Sequence, residues 1–137
     1  MGMNVTGHVC TKGKFWVDYN LDHVSWWADD LWLELLKTYG TILSQEEQVE
    51  IEVVRDDDVL QCLVDIVFNQ TQLHQIEEDI QNVVNSFATS KPDYSYKYSN
   101  ETDMECISRW TSILRSLHMF DAKIDWKNEY LAIYTSY

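Results

Sequence analysis

The chain of 137 residues carries 23 Asp and Glu against 10 Lys and Arg, a formal charge of −13 at neutral pH. That length suits a single domain spanning residues 1–137 with a core of its own, and 45% hydrophobic residues with one Pro and four Gly exclude a disordered chain. The charge works against direct contact with nucleic acid phosphates or anionic membranes, and no apolar run nears the ~20 residues that cross a bilayer.

No basic stretch followed by an apolar one opens the sequence, so no secretory signal is expected. Cys10, Cys62 and Cys106 are odd in number, far apart and without a C-x-x-C, which suits free thiols in a reducing cytoplasm better than a disulfide framework. The glycosylation-type triplets at Asn4, Asn69 and Asn100 are then read as chance.

Asn4 to Tyr19 reads as a hairpin arm, with Val5, Gly7 and Val9 leading to a turn at Thr11-Lys12-Gly13 and Phe15-Trp16-Val17 returning. Asn20, Asp22 and Ser25 offer caps for a first helix that ends before Gly40, a residue expected at positive φ. Trp27, Ala28, Leu31, Trp32, Leu35, Leu36 and Tyr39 make its apolar face. Trp26 and Leu33 fall outside that face, beside Asp29 and Asp30, in the manner of an aromatic contact anchor ringed by acids.

Periodicity is clearest from Gln48 to Phe87. Val49, Ile51 and Val53 alternate with Glu50 and Glu52, as in a half-buried strand. After Arg55-Asp56-Asp57-Asp58, the even positions from Leu60 to Phe68 are all apolar, while the odd ones mix Val59, Leu63 and Val67 with Gln61 and Asp65. Val59, Cys62, Ile66, Leu73, Ile76, Ile80, Val83 and Phe87 also fit the heptad of one long helix. Richness in β-branched residues and the uniform even face decide for a strand over 59–68, followed by a second helix capped at Thr71 and ending before Ser90-Lys91-Pro92.

Asp93 to Ser99 alternates Tyr94, Tyr96 and Tyr98 with Ser95, Lys97 and Ser99, the pattern of a strand. Glu101 and Asp103 suit the first turn of a third helix with Met104, Ile107, Trp110, Ile113, Leu114 and Leu117 as its buried stripe. Lys123 to Tyr134 looks like a closing hairpin. The whole reads as an α+β chain with a ferredoxin-like split β-α-β-β-α-β core, an N-terminal hairpin arm and a C-terminal helix plus β-hairpin.

Catalytic and metal signals are thin. His74 with Glu77 and Glu78 supplies at most part of a ligand set, and Asp56-Asp57-Asp58 lacks the spaced oxygens and glycine of a calcium loop. The glycines never cluster to cradle phosphate, and no G-x-S-x-G occurs. The Tyr94-Tyr96-Tyr98 segment invites comparison with RNA-stacking sheets but has acidic surroundings and no Lys/Arg-Gly-aromatic motif. No cofactor, no metal and no enzymatic activity are expected.

Charge is concentrated: residues 45–105 hold fifteen Asp and Glu against three Lys and Arg. The reading drawn from this is a protein-binding inhibitor that neutralises a basic, nucleic-acid-processing partner, presenting carboxylates where phosphates would lie. In composition the chain resembles phage anti-defence proteins, anti-CRISPR proteins among them, and toxin-immunity proteins, which are small, acidic and poor in motifs. The partner surface is placed on Trp26, Asp29, Asp30, Leu33, Asp56, Asp57, Asp58, Glu77 and Glu78, with the Asp turn and the second helix as neighbours. The alternative is a small ferredoxin-like enzyme or ligand-binding domain with an aromatic-lined pocket. Oligomeric state is open.

Overall fold

A computed structural model describes residues 4–27 and 29–136. Over these residues the chain is a mixed α+β protein with three helices and two sheets. The larger sheet runs in the order β3 (His23–Trp27), β1 (Asn4–Thr11), β8 (Glu129–Ser136), β7 (Ile66–Phe68) and β4 (Thr41–Ile42), antiparallel throughout. The smaller one is β2 (Trp16–Asp18), β5 (Val49–Arg55) and β6 (Asp58–Val64), with β2 parallel to β5. The helices are α1 (Asp30–Tyr39), α2 (Gln70–Ser86) and α3 (Asp103–Lys123).

Strand alternation sorts the core into two halves. Val5 of β1 and Leu131 and Ile133 of β8 face the helices, where they meet Trp32, Leu36, Leu73, Ile76, Trp110 and Phe120. Cys10, Ala132 and Tyr134, on the opposite face, pack with Val17, Ile51, Val53 and Val64 of the smaller sheet. The molecule is therefore three layers deep: helices, five-stranded sheet, three-stranded sheet. Edge-to-face rings tie the helical half together, with Trp26 against Trp32, Trp32 against Trp110 and Trp26 against Phe120 at centroid distances of 5.4, 6.1 and 6.1 Å.

The alternating β5 strand, the Asp turn, and helices α2 and α3 stand as expected, and Gly13 takes a left-handed φ of 81° in its turn. Other expectations are corrected. Asn69, not Thr71, caps α2, through a reciprocal box with Gln72, and Thr102 caps α3 in the same way with Glu105. Met104 lies 73% exposed, outside the α3 stripe, while Cys106 is buried in it.

The first helix starts only at Asp30, because His23–Trp27 is a strand paired to β1. Trp26 therefore points into the core at 9% exposure and is no surface anchor. Ala28, assigned to the helix face, lies outside the described residues. Gly40 ends α1 as expected but has φ −80°, so no left-handed backbone requires it. A Cβ there would stand 2.6 Å from Ile66 Cγ2 and 2.7 Å from Phe68 Cε1, so packing requires the glycine.

The split β-α-β-β-α-β arrangement is not what these strands make. Asp93 to Ser99 forms no strand, because the Tyr96 carbonyl accepts from the Arg109 guanidinium at 3.0 Å and from the Trp110 indole N–H at 2.9 Å. Side chains thus satisfy a backbone group that a ladder would have used. The N-terminal hairpin is absent as well: β2 leaves β1 to pair with β5. Nor is there a closing hairpin, since α3 continues to Lys123 and β8 becomes a strand between β1 and β7. The apolar run 59–68 divides at Asp65, whose N–H donates to the Ile133 carbonyl while its own carbonyl accepts from the Leu43 N–H, and the chain changes sheets there.

Candidate functional site

The outer face of the three-stranded sheet is the surface where exposed apolar groups and carboxylates coincide. Ile51 and Val53 are buried against the central layer, so Glu50, Glu52 and Val54 face outward. Register places Leu63 beside Glu50, Gln61 beside Glu52 and Val59 beside Val54. On the other side of β5, Trp16 lies in register with Glu52, and the Phe15 carbonyl accepts from the Glu52 N–H at 2.9 Å. On this face Trp16, Val59 and Leu63 are between 47% and 56% exposed. Asp56 and Asp57 form the two-residue turn at one end, with Asp56 at φ 50°, a left-handed conformation that Asp tolerates better than most residues. Of the nearby cations, Lys14 lies over the Trp16 ring at 3.9 Å and Arg55 over the Tyr19 ring at 4.7 Å.

Comparison with family models, with curated proteins and with solved structures finds no match.

The residues expected to share a partner surface are scattered. Asp56, Asp57 and Asp58 lie at the end of the small sheet and are exposed. Glu77 and Glu78 ride on α2, in the helical layer on the far side of the five-stranded sheet, so the Asp turn and α2 are not neighbours. Glu77 is buried at 8% exposure and Glu78 is exposed. Asp29 is the α1 cap, accepting from the Trp32 N–H at 2.7 Å and lying 3.5 Å from Arg109. Asp30 is exposed in the first turn, and Leu33 is half-buried against the helical core. Sequence reasoning did not assign Trp16, Glu50, Glu52, Val59 and Leu63 to the site. For Val59 and Leu63 the signal was present in the odd positions 59, 61 and 63, which face away from the even ones paired with buried Ile51 and Val53.

Several charged groups of the helical half have structural partners. Arg109 joins Glu101 at 2.7 Å and lies over the Tyr98 and Trp110 rings, fastening the 93–102 segment to α3. Burial would raise the Glu101 carboxyl, but the hydrogen bond from Arg109 holds it below its ordinary value. Asp79 accepts from the hydroxyls of Tyr39 at 2.8 Å and Tyr96 at 2.6 Å. Burial, and then its bond to Asp79, push the Tyr39 phenol up to about 12. Between α2 and α3, His74 pairs with Asp121 at 3.0 Å and His118 with Glu77 at 3.2 Å, while burial pushes Glu77 up. Among the described residues, no three His, Cys, Asp or Glu side chains converge as metal ligands.

Burial pushes the Cys10 thiol up to about 12 and the Cys106 thiol up to about 11, so both stay protonated at neutral pH. All three cysteines are free. No helix among the described residues is long and apolar enough to cross a membrane.

Proposed function

We propose that the protein is a binding inhibitor whose outer small-sheet face occupies the basic surface of a nucleic-acid-binding partner. The observation that carries this reading is the coincidence, on one three-stranded sheet, of exposed Trp16, Val59 and Leu63 with Glu50, Glu52 and the Asp56–Asp58 turn. Apolar anchors supply desolvated contact area, and the carboxylates around them supply orientation and fast encounter. The sheet is backed by Ile51, Val53, Val64, Ala132 and Tyr134, so these side chains are held on a packed support before binding. A net −12 between residues 45 and 105 adds a long-range field that attracts a cationic groove and repels nucleic acid. Phosphate mimicry is this arrangement seen from the partner: carboxylates meet the Lys and Arg that would otherwise meet phosphates.

The test is charge reversal on the folded protein. Glu50→Lys with Glu52→Lys, and separately Asp57→Lys with Asp58→Lys, should slow association with the partner captured from source cells and flatten its salt dependence. Trp16→Ala should instead speed dissociation. A partner that is acidic, or that binds the reversed variants as fast as wild type at low salt, would remove the proposal's support.

A second reading has one observation in its favour. Leu43, Val49, Val67, Phe68 and Tyr130 line an apolar cleft at the seam of the two sheets, rimmed by Glu47, Asn69 and Gln72. A small apolar ligand would fit such a lining. Fluorescence titration with an apolar dye, repeated on Val67→Trp to fill the cleft, separates this reading from the first.

A further inference from the structure

β6 is the outer strand of the small sheet. β5 pairs with it from Asp58 to Val64 on one side, and among the described residues no strand pairs with the other. A free edge is a template for another chain, and sheets that must stay unpaired blunt it with Pro, Lys, a bulge or an inward charge. The stretch Val59 to Val64 has none of these: it carries no charge and no Pro, and its register to β5 is unbroken. Val59, Leu60 and Leu63 stand more than half exposed along it.

The turn sets which backbone groups are free. Arg55 and Asp58 close a two-residue turn, and the closing pair of such a hairpin exchanges both of its hydrogen bonds. Alternation then gives Leu60 and Cys62 to the β5 ladder and directs the N–H and C=O groups of Val59, Gln61 and Leu63 outward. The side chains around that edge select its occupant by charge. Glu50 and Glu52 lie one strand in from it on the outer face, and the Asp turn lies at its end. A second copy could set Val59 against Leu63 about Gln61, but it would bring another −13 to the same place.

Building on the reading of this face as the partner surface, we propose that the free edge of β6 takes up an extended segment of the partner, alternately basic and apolar, as a fourth strand of the small sheet. Outward Lys and Arg of that segment lay their stems along Val59 and Leu63 and reach Glu50 and Glu52, while its inward apolar side chains cover Leu60.

The probe is a ten-residue peptide alternating lysine and valine, capped at both ends, titrated into the isotope-labelled full chain. Saturating peptide should slow amide exchange of Val59, Gln61 and Leu63 by about tenfold or more, while Leu60 and Cys62 are slow with or without it. N-methylation of alternate peptide amides should weaken binding by about tenfold or more, because main-chain bonds carry strand addition. Gln61→Pro removes one outward donor without touching the β5 ladder and should weaken binding too; the N-methylated peptide makes the same point without altering the protein. Equal binding of the two peptides, with no new protection at 59, 61 and 63, overturns strand addition and leaves the charge reading standing. Undiminished binding to Glu50→Lys/Glu52→Lys at low salt overturns the charge reading itself. Protection of the same three amides on self-association, without peptide, would assign the edge to a second copy and overturn the proposal.

Discussion

Acidification should destabilise this protein through one buried imidazole. His8 is 0% exposed, its Nδ1 is 2.9 Å from the Tyr134 hydroxyl, and its ring stacks on His23 and Tyr134 at centroid distances of 5.2 and 5.6 Å. Its Nε2 is buried without a partner. Burial first, and the neighbouring His23 second, lower its pKa from 6.5 to about 4, with Asp22 acting weakly the other way. Above 6.5 the ring is uncharged both folded and unfolded, so it adds no pH dependence. Between 6.5 and about 4 only the unfolded chain takes the proton, and stability falls by about 1.4 kcal/mol per pH unit. From pH 7 to 4.5 the loss from this residue is roughly 2–3 kcal/mol, a large share of the 5–15 kcal/mol typical of a domain. The assay is urea denaturation at both pH values for wild type and for His8→Gln. Wild type should lose roughly 2–3 kcal/mol more than the variant. Equal losses would show that His8 is not held neutral by the fold, and the reasoning would fail.

Four further substitutions probe the architecture. Gly40→Ala should cost about 1–3 kcal/mol by overpacking against Ile66 and Phe68, despite an ordinary φ, and a neutral result by chemical denaturation would contradict the close approach. Ile51→Asp places an unpaired carboxylate at a fully buried site and should lower the melting temperature sharply, whereas Glu50→Lys on the outer face should barely move it; similar melting temperatures would undo the assignment of the two faces. Asp56→Gly should raise stability by about 0.5–1 kcal/mol by relieving the left-handed turn residue, and a loss would mean that the Asp56 side chain contributes more than its backbone costs.

What could be read in advance was local. Leu73, Ile76, Ile80 and Val83 announce α2, Trp110, Ile113, Leu114 and Leu117 announce α3, and Val49, Ile51 and Val53 announce β5, because each pattern is set by near neighbours in the chain. Pairing across the chain was not legible. β1 is held by β8, so Val9 meets Leu131; nothing in either segment names the other. Trp26 shows how a helical wheel misleads. It lies in a five-residue strand against β1, and its aromatic bulk fits a core site as readily as a surface one. At the candidate site the Asp turn was legible from three consecutive acids. The apolar half was not, since Trp16 joins β5 only through a long-range parallel pairing. The expected union of the Asp turn with α2 failed because the five-stranded sheet stands between them.

The most direct measurement of the central claim is competition on the captured partner. A fluorescent oligonucleotide bound to that partner is titrated with the wild-type protein and with the Glu50→Lys/Glu52→Lys variant, and anisotropy is followed at low and moderate salt. The account predicts full displacement by wild type, weakening as salt rises, and displacement at least about tenfold weaker by the variant. Retention of the oligonucleotide on a partner saturated with wild-type protein would contradict it.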